Sequence, residues 1–190
     1  SFNQKESMAT YLLGWNPDRW EWDDLSDVAD QIAEYGSATR RWSCGNTKSI
    51  EVRDRVFLLR QGREPRGIVA SGHVISPPFE DTHWAEDKKA LYVQVEFDAV
   101  LDPETEHILP REQLNEPPFD TVHWDIQKSG MSIESPIADE LERVWQRHLD
   151  LSETTTEISD GKLSKSYEGT PRTVTLTRYE RNPQARAKCI

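Results

Sequence analysis

Two short apolar runs with a turn between them constrain this chain more than any other feature. Val56-Phe-Leu-Leu59 and Ile68-Val-Ala-Ser-Gly-His-Val74 have strand length, and Gln61-Gly-Arg-Glu-Pro65 joins them with turn-forming residues. A β-hairpin is the expected result. Just ahead of it lies Trp42-Ser-Cys-Gly-Asn-Thr-Lys48. A flat aromatic beside small hydrogen-bonding groups at a sheet rim suits a pocket for a planar ring.

The other elements are expected around that hairpin. Ala9 to Trp15 reads as a first strand ended by Pro17, and Trp20 to Tyr35 as a helix with an acidic first turn, closed by Gly36. Ala90 to Leu101 alternates, with Leu91, Val93, Val95 and Phe97 on one face, and is the clearest strand. Leu109 to Leu114 reads as a short helix or strand edge. Ser135-Pro136 opens a helix to about Leu149, with Ile137, Leu141, Val144, Trp145 and Leu149 at helical spacing. Residues 150–172 are polar and read as a linker, and Thr173 to Thr177 as strand-like. Helices interspersed with a mixed, largely antiparallel sheet give an α+β chain: a small β-barrel flanked by helices.

Only 35% of the 190 residues are hydrophobic and mean hydropathy is −0.78, so the core is small and part of the chain is expected to be extended. No run reaches membrane-spanning length. Two cysteines, Cys44 and Cys189, cannot make a disulfide framework, which points to an intracellular, cytoplasmic protein. The net charge of −11 argues against nucleic-acid binding until its distribution is considered. Residues 40–66 hold eight basic side chains (Arg40, Arg41, Lys48, Arg53, Arg55, Arg60, Arg63, Arg66) against Glu51, Asp54 and Glu64, a local charge of +5. Residues 171–190 carry +4. The first segment flanks Trp42, and phosphate contacts need basic groups around a pocket mouth; Arg40, Arg41, Lys48, Arg63 and Arg66 are the candidates.

Catalytic signatures are missing: there is no P-loop, Gly-x-Ser-x-Gly, His-Glu-x-x-His or Cys-x-x-Cys. The five histidines are scattered singly. Cys44 beside Arg40 and Arg41 reads as a small packing residue ahead of a reactive thiol. Among the seven tryptophans, Trp145 belongs to an apolar helix face. Trp20 and Trp22 either staple a helix or line a pocket; Trp124 is a loop anchor or a DNA contact.

Taken in order, strand, helix, Trp-Ser-x-x-Asn, strand and Gly-x-x-x-x-Gly strand resemble the PUA-like superfamily, and within it the EVE domains, relatives of the methyladenine-reading YTH domains. Tyr11-Leu-Leu-Gly-Trp-Asn-Pro17 resembles the family's first strand with the polar residue at its end. Trp42-Ser43 resembles the pair that opens the YTH pocket, and His83-Trp84 resembles the second cage tryptophan. The pattern covers roughly residues 8–148. It departs from the family at Arg53, where a glycine usually precedes Asp54. Separately, Tyr179-Glu-Arg-Asn-Pro-Gln-Ala-Arg-Ala-Lys-Cys-Ile190 resembles the leader of McrA-like HNH endonuclease domains, with eight residues in register. A plain basic amphipathic helix is the other reading of that segment.

These resemblances imply a division of the chain into a recognition domain (1–149), a linker (150–172) and the start of a nuclease leader (173–190). They imply binding of double-stranded DNA that carries modified cytosine, 5-methyl or 5-hydroxymethyl, by flipping the base into an aromatic pocket. Flipping costs a few kcal/mol of stacking and pairing. Stacking returns about 1–3 kcal/mol per base face. Trp42 and Trp84 are expected as walls whose removal spares folding, and Asn16, Ser43, Trp22 and Asp81 (or Asp23) as partners of the base edge. No cofactor is expected for residues 1–190. A divalent metal, cleavage and a dimer contact belong to an HNH domain beyond Ile190. N6-methyladenine reading, in DNA or RNA, and nucleotide or small-molecule sensing are the alternatives.

Overall fold

The computed structural model describes residues 8–82, 89–126 and 128–166. Two compact units divide the chain, Ser1–Leu141 and Glu142–Ile190.

The first unit is built on one sheet. Its strands are β1 (Thr10–Trp15), β2 (Ala38–Gly45), β3 (Arg55–Arg60), β4 (Gly67–Val74), β5 (Phe79–Thr82), β6 (Lys89–Val100), β7 (Leu109–Pro110) and β8 (Met131–Ile133). They run in the order β2-β6-β4-β3-β1-β8, with β5 also on β6 and β7 also on β4. The expected hairpin is β3–β4, with Val56 opposite Gly72 and Leu58 opposite Ala70. β1 and β3 pair in parallel, and the other described pairs are antiparallel. The α+β reading holds.

β2 begins the sheet and β1 lies near its far end, yet they touch. The Trp42 indole N–H donates to the Gly14 carbonyl at 3.0 Å. The Ser129 hydroxyl accepts from the Gly14 N–H at 3.0 Å and donates to the Ser43 carbonyl at 2.6 Å. These bonds require a sheet curled into a half-barrel, with the segment before β8 closing the gap. Leu12, Leu13, Phe57, Leu59, Ile68, Val93, Val95 and Phe97 are buried. At about 25 cal/mol per Å² of apolar surface removed from water, such side chains each contribute roughly 1.5–3 kcal/mol.

Several boundaries differ from the sequence expectation. The first helix, α1, spans Leu25–Tyr35 rather than starting at Trp20, so Trp20 and Trp22 lie in the β1–α1 connection. Asp24 precedes α1 without a side-chain capping bond. Its carboxylate instead accepts from Arg40 Nε at 2.7 Å. Gly36 closes α1 as expected, at φ 89° with its N–H on Ile32 O. Residues 38–45 form a full strand that sequence alone did not delineate. The second helix, α2 (Ser135–Ser166), passes through the segment read as a linker, which is therefore helical to Ser166. In its first part Ala138 and Leu141 are buried; in the second unit Trp145 is buried and stacks on His148 at 6.2 Å. His83-Trp84 and 167–190, with the nuclease-leader resemblance, lie outside the described residues.

The departure at Arg53 has a backbone cause. Arg53 sits at φ 85°, the one non-glycine residue with positive φ among those described. That region suits glycine and costs a residue with a Cβ roughly 1–2 kcal/mol. The turn is held by Asp54, whose carboxylate accepts from Ala9 N–H at 3.1 Å and Glu51 N–H at 2.8 Å.

Candidate functional site

At the C-terminal end of β1 four indoles gather. Trp15 ends β1, Trp20 and Trp22 follow in the connection to α1, and Trp42 points inward from β2. Trp22 lies 4.7 Å from Trp42, Trp20 lies 5.1 Å from Trp42, and Trp15 lies 5.5 Å from Trp22, all edge-to-face between ring centroids. Phe97 closes the floor, 5.9 Å from Trp42. Two indole N–H groups are paired: Trp15 donates to Trp20 O at 2.9 Å and Trp42 to Gly14 O. This is the geometry in which aromatic quadrupoles attract.

The cluster joins two of the sequence candidates, Trp42 and Trp22, and adds Trp20, left undecided by sequence, and Phe97, which sequence reasoning missed. It also corrects an expectation. Trp42 is only 5% exposed, so it packs as a core side chain, and its removal is expected to cost folding stability. Trp20 is half-buried and is the cluster member nearest solvent.

Ser43 does not share the Trp42 face. Side chains alternate along β2, which sets Trp42 and Arg40 on one side and Ser43 and Arg41 on the other. The Ser43 hydroxyl accepts from the Gly45 N–H at 3.2 Å. Asp81 also lies away from the indoles: it pairs with Arg41, whose guanidinium sits 4.1 Å over the Tyr92 ring. Tyr92 is buried, its hydroxyl finds no hydrogen-bond partner among the described residues, and burial pushes its pKa up against the opposing pull of Arg41. The Asn16 side-chain oxygen accepts from the Asp18 N–H at 2.9 Å.

The expected basic surface across residues 40–66 is broken up. Arg55 and Arg60 are buried. Arg40 pairs with Asp24, Arg41 with Asp81, Arg63 with Asp18 and Arg66 with Glu64. Arg40 and Arg41 lie on opposite faces. These pairs are partly exposed, where ion pairs are worth little, so a phosphate can compete for the cations. Lys48 is exposed. Cys44 is fully buried; burial raises its thiol pKa, with the backbone hydrogen bond opposing, and it packs as expected.

No family model matches the chain, and no curated protein matches it. Solved structures do. A hypothetical protein from Leishmania major superposes with a TM-score of 0.57 at 16% identity, over 76% of this chain and 98% of that one. A protein from Pseudomonas syringae (TM-score 0.47, 14% identity) is matched over 72% of this chain and 99% of its own. One from Agrobacterium tumefaciens (0.46, 14%) is matched over 72% and 92%. The first of these likenesses is one of fold: a small, curled, antiparallel-rich sheet with helices. Among the described residues no helix is long and apolar enough to cross a membrane, and no group of three or more His, Cys, Asp or Glu is placed to hold a metal.

Proposed function

We propose that residues 8–141 are a PUA-like, EVE-type module that binds double-stranded DNA and reads a modified cytosine flipped out of the duplex. The observation that carries this reading is the meeting of Trp42 with Trp20 and Trp22 at the end of β1, where Tyr11 to Pro17 and Trp42-Ser43 resemble the family's pocket. Indoles stack bases irrespective of sequence. In this reading Trp42 is the inner wall, Trp84 the expected second wall, and Trp20 the group a base must displace to reach Trp42. Arg40, and Arg63 and Arg66 at the β3–β4 loop, exchange partly exposed carboxylate partners for phosphates, and the exposed Lys48 joins them, whereas Arg41 lies with Ser43 on the other face. Ser43 and Asp81 lie on the other face of the sheet and have no part in the pocket.

Cutting, in the same proposal, belongs to an HNH nuclease domain that follows Tyr179 to Ile190. That domain would supply the divalent metal, and the protein would work in the cytoplasm. A gel-shift panel tests the reading. Duplexes carrying 5-methylcytosine or 5-hydroxymethylcytosine are expected to bind more tightly than the unmodified duplex. Preference for N6-methyladenine instead would reassign the base; equal binding of all four would remove base reading altogether.

A further inference from the structure

A small cleft of about 90 Å³ opens between the β3–β4 loop and the segment that follows β7. Arg60, Arg66 and Arg111 line it, Trp124 contributes to its wall, and Asp125 is the one acid among the lining residues. Topology makes the arginines converge. β4 pairs with β7, setting Gly67 opposite Pro110, and the Arg111 N–H donates to Arg66 O at 2.8 Å. The strands approach so closely that a Cβ on Gly67, at φ 150°, would stand 2.0 Å from Leu109 O. Glycine is required there.

The donors are not balanced by acceptors. Arg60 is only 5% exposed. Its Nη1 donates to the carbonyls of Arg63 at 3.0 Å and Pro65 at 2.6 Å, while its Nε is buried with no partner among the described residues. Burial, and then Arg63, pull its pKa below the ordinary guanidinium value. Arg111 reaches Asn115, and only at 3.5 Å Asp125. Arg66 uses Nε on Glu64 at 2.9 Å. Buried donors are nearly always paired, and clustered cations are costly without an anion.

Charge and donor geometry narrow the ligand. Three guanidinium groups line one small, open cleft, which suits a compact oxyanion. Guanidinium forks match phosphate oxygens in pairs. We infer that this cleft is a binding site for a single phosphoryl group, held by Arg60, Arg66 and Arg111. The group can come from a nucleic-acid backbone or from a free or terminal phosphate. The inference stands apart from base reading, because inorganic phosphate alone is enough to test it.

The test is a titration of inorganic phosphate at constant ionic strength, with chloride as reference, followed through the ¹⁵N–¹H signals of the arginine side chains. A saturable shift of the Arg60 Nε–H is expected. Arg66→Gln and Arg111→Gln, which leave the buried Arg60 in place, should each weaken phosphate binding about tenfold or more. No saturable shift up to millimolar phosphate, or unchanged affinity in the two variants, overturns the inference. Competition then identifies the source: a duplex without terminal phosphates displaces the ion if the backbone supplies it, and a mononucleotide alone does so if the phosphate is free.

Discussion

The indole cluster and the arginine cleft lie beside each other and are opposite in character. Arg60 links them, its guanidinium 5.3 Å from the centre of the Trp15 ring. In the cluster Trp15 and Trp42 have paired N–H groups and Trp42 is covered by Trp20, Trp22 and Phe97. Arg60 lines the cleft, and its Nε is buried with no partner among the described residues. A phosphate in the cleft would compete for donors of Arg66 and Arg111 that now face Glu64, Asn115 and Asp125. A base can stack on Trp42 only by displacing a ring that now packs on it, of which Trp20 is nearest solvent. Aromatic side chains can therefore serve as core and as binding wall in one place, and the second use is paid for by breaking contacts of the first.

The largest expected effect breaks or keeps that distinction. Trp42→Ala should destabilise the fold by about 3–5 kcal/mol in chemical denaturation, the usual cost of emptying a buried aromatic site. A loss under about 1 kcal/mol would mean that the ring is not core. Arg53→Gly should raise stability by about 1 kcal/mol, because glycine relieves the positive φ but is itself freer when unfolded. DNA and phosphate binding should stay unchanged in that variant, which separates stability from binding. If Arg53→Gly is no more stable, the turn is not strained.

Trp20→Ala sharpens the comparison further. An edge-to-face pair is worth about 0.5–1.5 kcal/mol, which a base must displace, so removing Trp20 should tighten binding of a methylated duplex roughly 2- to 10-fold in fluorescence anisotropy. Weaker binding would make Trp20 a stacking wall rather than a cover. The smallest effect concerns Cys44. With its pKa raised by burial, the thiol stays protonated at mildly alkaline pH, and iodoacetamide should label it only after unfolding. Mass spectrometry of the Cys44 peptide reads this directly, and rapid labelling of the folded protein would show that the cluster region opens freely.

Local pattern made β1, the β3–β4 hairpin and β6 readable, because each has apolar alternation or a turn signal of its own. β2 was not delineated, since its inward face carries Arg40 between Ala38 and Trp42, and that arginine is accommodated by Asp24 on a separate element. The helix was started too early, at Trp20, because Trp20 and Trp22 pack on Trp42 ahead of α1 and no local pattern shows that contact. α2 outruns its apolar stripe, and a polar stretch rich in Ser and Thr gives no sign of helix. Trp42 and Trp22 were legible as site residues only through family resemblance. Ser43 was grouped with Trp42 through the family resemblance, and the two separate because neighbours point to opposite faces of a strand that had not been recognised. Arg60 and Arg111 stand 51 positions apart in the chain, so nothing short of the β4–β7 pairing brings them together.

The most direct test of the central claim uses 2-aminopurine placed beside a 5-methylcytosine in a duplex. Flipping the cytosine unstacks its neighbour, so the reading predicts a saturable rise in 2-aminopurine fluorescence as protein is added, much smaller with unmodified cytosine and reduced in the Trp42→Phe protein. Tight binding of the methylated duplex with no change in 2-aminopurine fluorescence would contradict base flipping and leave the indole cluster as core alone.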